Sequence, residues 1–99
     1  MAELLILEFS APSAVELYIQ VNKLLGVDPA TGRGDWPAGI IDHRAGSEGD
    51  TLIVVESWES REAQEEFMRS RLMPAFAEAH VPQPARVTWL PEVGHLVSG

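Results

Sequence analysis

The stretch Thr51-Leu-Ile-Val-Val-Glu-Ser-Trp58, running at once into Glu59-Ser-Arg-Glu-Ala63, constrains the fold more than any other part of the chain. Read as a strand, it alternates Leu52, Val54, Glu56 and Trp58 to one face and Thr51, Ile53, Val55 and Ser57 to the other. A strand with one wet face would alternate apolar and polar residues, whereas this one demands cover on both sides. Ser60 then caps a helix, and Glu62 in its first turn is favoured by the helix dipole.

The other segments are read around this strand. Leu4-Leu-Ile-Leu-Glu-Phe9 is a short apolar run bounded by Ser10-Ala-Pro12, and so a second buried strand. Glu8 and Glu56 are candidates for a carboxylate pair across adjacent strands, with their relative faces left open. Ser13-Ala-Val-Glu16 has the pattern of a capping box. The helix after it carries Ala14, Leu17, Tyr18, Val21, Leu24 and Leu25 on an apolar stripe. Gly26 ends it, because glycine takes the left-handed conformation without a Cβ penalty. Tyr18 and Asn22 lie one turn apart at the border of the stripe, where an amphipathic tip suits either a pocket wall or a half-buried surface position.

Residues 27–38 contain Asp28-Pro29, Gly32, Gly34 and Pro37 and read as a long loop, either a lid or a mobile segment, in which Trp36 must bury its ring. Gly39–Gly46 is the next strand, with Ile41, His43 and Ala45 expected on one face and Ile40, Asp42 and Arg44 on the other. Ser47-Glu-Gly-Asp50 is a hairpin turn into the organising strand. Along the second helix Pro74 cannot continue the hydrogen-bond ladder, so a kink is expected there or a short further helix from Pro74 to Ala79. Arg69 and Arg71 are expected on its solvated side. Arg86–Leu90 reads as the last strand of the sheet, and His95–Ser98 as a further edge strand reaching a partner.

The order strand, helix, strand, strand, helix, strand gives an α+β, ferredoxin-like antiparallel sheet with both helices on one face, in a single domain over 1–99. The other face is apolar too and larger than a monomer normally leaves bare, which predicts a homodimer packed sheet against sheet. With a formal charge of −8, one lysine and six scattered arginines, the chain is not expected to bind nucleic acid, and its acidity is unsuited to anionic membranes. The absence of cysteine removes disulfides, thiol nucleophiles and thiolate metal sites. The opening residues lack the basic region of a signal peptide and no apolar run is long enough to span a bilayer, so the expected setting is the cytoplasm.

Three local features, Pro37-Ala-Gly39 entering a strand, Glu56-x-Trp58-x-Ser60, and Glu62-Ala63 opening a helix, resemble the antibiotic-biosynthesis-monooxygenase (ABM) type of dimeric α+β barrel. The element order extends that resemblance over about the whole chain. It implies a pocket between the sheet and the helices of each subunit. Members of the family include cofactor-free oxygenases of aromatic polyketides, haem-degrading enzymes and proteins without assigned activity. Many relatives carry a histidine four residues after the alanine matching Ala63, where this chain has Phe67, a ring that packs but carries no proton. Phe76-Ala-Glu-Ala-His80 is similar to the segment whose histidine ligates iron in the haem-degrading branch, but Pro74 and extra residues separate it from Phe67.

The expected site is a small apolar cleft. His43 is the candidate for proton transfer, since its ordinary pKa lies near neutrality, with Glu56 as its carboxylate partner. Tyr18, Asn22, Trp58 and Phe67 are the candidate ligand-binding residues. No histidine pair has metal-ligand spacing and no serine sits in a nucleophile elbow, so neither metal nor cofactor enters the reading. Two functions remain open, an oxygenase-like or isomerase-like enzyme acting on a small hydrophobic aromatic substrate and a non-catalytic ligand-binding or structural homodimer, with a haem-binding or haem-degrading relative using His80 as a further alternative that the resemblance implies. An open cleft with His43 pointing in favours the first, and a cleft filled by Phe67 and Trp58 the second.

Overall fold

The organising strand lies inside the sheet, paired on both edges. In the computed structural model, which describes residues 2–98, the elements are β1 (Glu3–Ser10), α1 (Ala14–Leu25), β2 (Val27–Asp28), β3 (Arg33–Gly34), β4 (Ile40–Glu48), β5 (Thr51–Trp58), α2 (Arg61–Phe67), α3 (Met73–Ala79) and β6 (Arg86–Pro91). The four-stranded sheet has the order β4-β5-β1-β6, antiparallel throughout. This is the α+β, ferredoxin-like architecture, with β2 and β3 added as a two-stranded ribbon inside the segment read as a plain loop. No helix of the described residues is long and apolar enough to cross a membrane.

Leu5, Leu7 and Phe9 of β1 and Leu52, Val54 and Trp58 of β5 form the sheet side of the core, and Ala14, Val21, Phe67, Leu72, Ala75 and Ala79 the helix side. Leu24, expected in the apolar stripe of α1, is exposed, and Asn22 is buried instead. The opposite sheet face bears half-buried Leu4, Ile6 and Val55 and exposed Ile53 and Leu90. Glu8 pairs with Ile53 and Arg86 on that face, whereas Leu5 pairs with Glu56 on the core face. The two carboxylates are therefore on opposite sides of the sheet and do not pair.

A β-bulge corrects the expected facing of β4. Ile40 pairs with Trp58 and Asp42 with Ser57, so Ile41 is the inserted residue, and it is exposed. One extra residue flips the parity before it. Ile40, rather than Ile41, thus shares the core face with His43. Gly39, just before the bulge, has φ 91°, and a Cβ there would stand 2.6 Å from the Ala63 Cβ. Only glycine lets the strand start so close to α2.

The helix ends differ in how they are satisfied. Ser60 Oγ accepts from the Ala63 amide at 3.1 Å, the expected cap. The Ser13–Glu16 box does not form: Ser13 has φ −117° and ψ 30°, not the extended backbone a side-chain cap requires, and α1 starts on the Leu17 amide bonding to Ser13 O. Gly26 closes α1 in the left-handed conformation. Between α2 and α3 the chain makes one π-helical turn, Met68–Leu72, with the Met73 amide bonding five residues back to Met68 O. Pro74 lies in the first turn of α3 and offers no N–H, so the expected break is a wide turn followed by a short helix. The final strand reaches Pro91, and residues 92–98 form no strand.

Candidate functional site

His43 and Glu56 are directly opposite each other on β4 and β5, and Trp58 follows on the same face of β5. The cross-strand pairing brings the imidazole and carboxylate into contact, with His43 Nδ1 2.7 Å from Glu56 Oε2. The second carboxylate oxygen, Oε1, accepts from Trp58 Nε1 at 3.0 Å. From the facing helix, the Tyr18 hydroxyl lies 2.6 Å from His43 Nε2. Three hydrogen bonds thus link Trp58, Glu56, His43 and Tyr18 in one row.

The donor inventory fixes the direction of that row. An indole N–H only donates, and a carboxylate only accepts. Glu56 as carboxylate therefore takes Trp58 N–H on one oxygen and His43 Nδ1–H on the other. The lone pair on His43 Nε2 is left to accept from Tyr18 O–H. This tautomer follows from the network of partners.

The row ends at a cavity of about 70 Å³ between the sheet and the helices. That is several times the roughly 10–15 Å³ one water occupies on the same measure. Its walls are mostly apolar, among them Leu7, Phe9, Val21, Leu52, Val54 and Phe67. The polar patch on the wall is Tyr18, Asn22, His43 and Glu56. Of the six residues singled out from the sequence, five line the cavity. Trp58 does not: it is fully buried behind Phe67, at 5.8 Å between ring centroids, and braces Glu56 from below. His80 caps α3 in the left-handed conformation, exposed and off the cavity wall. Among the described residues no cluster of three or more His, Asp or Glu is arranged to hold a metal ion.

Two residues had no functional reading from the sequence. Trp36, in the segment after β3, lines the cavity with its ring centroid 5.3 Å from that of His43. Arg71 does not point to solvent like Arg69, which pairs with Glu66. It donates to Leu25 O at 2.9 Å and Asp35 O at 2.7 Å. The signal for Trp36 was a large ring in a glycine-rich segment. Arg71 had none, because its placement depends on the π-helical turn.

The Tyr18 hydroxyl is held above its ordinary pKa of 10.0, mainly by burial, which disfavours the phenolate. The nearby Asn22 amide acts in the opposite direction, and the charge of Glu56 adds to the rise. Tyr18 is thus a neutral donor throughout the physiological range. It is the chain's sole tyrosine, so absorbance near 295 nm reads it directly. The expected midpoint of an alkaline titration lies above 10.0. Stability due to this group is complete below 10.0 and falls as pH rises to the raised value, because there the unfolded chain has released a proton the folded chain keeps. A midpoint at or below the ordinary value would contradict the burial of the hydroxyl.

Comparison with known proteins supports the fold. The chain matches no family model, and no curated protein matches it. Solved structures do. A protein of Chloroflexus aurantiacus J-10-fl assigned as an antibiotic biosynthesis monooxygenase superposes with a TM-score of 0.67 at 14% identity, covering 100% of both chains. Rv0793 of Mycobacterium tuberculosis gives 0.67 at 19% identity over 98% of this chain and 100% of its own. SnoaB, a cofactor-independent oxygenase from Streptomyces nogalater, gives 0.65 at 13% identity over 98% of both. The chain has the ABM-like fold.

Proposed function

We propose that this chain is a cofactor-independent, oxygenase-like or isomerase-like enzyme that moves a proton of a small hydrophobic aromatic ligand held in the cavity. The observation that carries this reading is the row of hydrogen bonds ending on the cavity wall: a carboxylate fixed by an indole, an imidazole held by that carboxylate through Nδ1, and a phenol that donates to the imidazole Nε2 and bridges to the ligand space. Tyr18 and His43 are the groups placed to exchange the proton, Glu56 orients His43 and steadies the imidazolium that forms, and Trp58 holds Glu56. Phe67 and Trp36 provide the aromatic walls, and Asn22 a polar contact for the ligand. The open cavity with His43 on its wall supports the catalytic alternative over a packed cleft, and SnoaB, a cofactor-independent oxygenase, agrees in kind. In an oxygenase the co-reactant would be dioxygen, and the protein's own part would be removal of the proton that makes the ring electron-rich.

The test is a panel of small phenols and naphthols given to the wild-type protein in deuterated buffer. Binding in the micromolar to millimolar range, with exchange of ring hydrogens or uptake of oxygen, is the expected result. Binding with neither would leave the non-catalytic binding protein, and no binding would sink the reading.

The same proposal includes a homodimer through the bare sheet face. Ile53 and Leu90 are exposed there, Leu4, Ile6 and Val55 are only half-buried, and Val93, Leu96 and Val97 in the C-terminal segment are strongly exposed. Apolar surface of this kind is normally buried in an assembly. Light scattering at micromolar concentration should give twice the chain mass of 10.9 kDa; a monomer would overturn the dimer.

A further inference from the structure

We propose that Arg71 is a positioning residue that latches the base of the β2–β3 ribbon, so holding Trp36 on the cavity wall and controlling ligand access to His43. The inference rests on the proposed ligand site. It starts from the π-helical turn. In an unbroken α-helix the residue four after Phe67 would share its face, and that residue is Arg71. The wide turn puts Leu72 there instead, buried on the cavity wall, and moves Arg71 to the flank.

From the flank one terminal guanidinium nitrogen spans two chain segments. It donates to Leu25 O at the end of α1 and to Asp35 O just beyond β3. The Asp35 carboxylate is 3.4 Å away, and the Phe67 ring lies beneath the guanidinium at 5.4 Å. The span between these two carbonyls contains the ribbon. Residues 28–35 are exposed at every position, so no buried side chain of theirs holds them down. What fixes the ribbon is Val27 and Trp36 at its ends, the Asp35 amide bonded to Gly26 O at 2.8 Å, and the Arg71 clasp. Trp36 is the next residue after the clasped carbonyl, and its indole, tied to Arg33 O at 3.1 Å, stands against His43. Releasing the clasp frees the residue that covers the imidazole.

The experiment uses the full chain labelled with 5-fluorotryptophan, the Trp36 resonance being assigned by Trp36→Phe, together with amide hydrogen exchange and stopped-flow binding of 2-naphthol. Arg71→Met should raise exchange at the Asp35 amide, and the association rate of 2-naphthol, about tenfold each, the low end for a hydrogen bond to a charged group. The Trp36 fluorine signal should move towards its solvent-exposed position. Arg71→Lys should fall between, since an ammonium can donate to both carbonyls from a stem one bond shorter. Asp35→Asn should stay within about twofold of wild type, because the clasp is made to a backbone carbonyl and an exposed ion pair adds little. Wild-type exchange and Trp36 signal in Arg71→Met would overturn the latch, as would a uniform rise in exchange across the core, which would make Arg71 merely structural. If 2-naphthol fails to bind even the wild type, the ligand reading falls, while Asp35 exchange and the Trp36 signal still decide the latch.

Discussion

Trp58→Ala should lower the free energy of unfolding by about 3–5 kcal/mol, the range for deleting a large buried aromatic side chain. A domain of this size holds only about 5–15 kcal/mol in total, so the variant should be at the edge of folding. Trp58 and Leu5 are the largest fully buried side chains, and Trp58 has no exposed surface. Its ring packs on Phe67 and lies opposite Ile40 across the β4–β5 ladder. Its N–H satisfies Glu56 Oε1, on a residue only 8% exposed. Alanine therefore opens a cavity and strands a carboxylate oxygen. Trp58→Phe separates the two effects: it keeps most of the packing, loses the donor, and should cost about 1–3 kcal/mol. Urea unfolding with a shifted midpoint and unchanged slope is the measurement. A loss below about 1 kcal/mol for the alanine variant would mean that the indole is not the core anchor that its burial indicates.

The sequence made the architecture legible because hydrophobic alternation and turn chemistry act locally. The alternation of residues between the two faces of Thr51–Trp58, the Ser60 cap and the left-handed Gly26 can each be read from a few neighbouring residues, and each forms as expected. Glu56 was legible as a carboxylate partner for His43, but the register that sets them opposite each other was not: the strands pair up to Glu48 and Thr51, a tighter turn than Ser47–Asp50 suggested. The failures are non-local. The bulge at Ile41 answers to the packing of Ile40 against the core, which no local pattern announces. Trp58 looked like a wall residue because it shares a face with Glu56; its depth depends on Phe67 in front of it. Arg71 has its role only once Pro74 has forced a wide turn, which rotates the charged side chain towards α1. The capping box failed for the opposite reason: the residues suit it, but the backbone at Ser13 is not extended.

Glu56→Gln should cut any proton-transfer turnover by about 10²–10⁴-fold, the usual weight of a positioned acid–base group, while changing stability by only about 1 kcal/mol. Glutamine has the shape of glutamate but one acceptor and one donor end. Trp58 N–H can only donate, so it takes the amide oxygen, and the amide NH₂ then faces His43 Nδ1. That nitrogen must become the acceptor, which moves the imidazole proton to Nε2. Nε2–H now points at the Tyr18 oxygen and can no longer receive a proton from it, so the row is intact but its bonds on either side of His43 run backwards. The swap has two signatures that need no substrate. The ¹⁵N shifts of His43 should exchange their protonated and unprotonated positions between Nδ1 and Nε2. The Tyr18 titration should move down, because the Glu56 charge that helps to raise it is gone, yet stay above 10.0 because burial is the larger cause. If both signatures appear and turnover persists, Glu56 is a support for the fold and proton transfer does not pass through His43. If neither appears, the hydrogen-bond order assigned to this site is wrong.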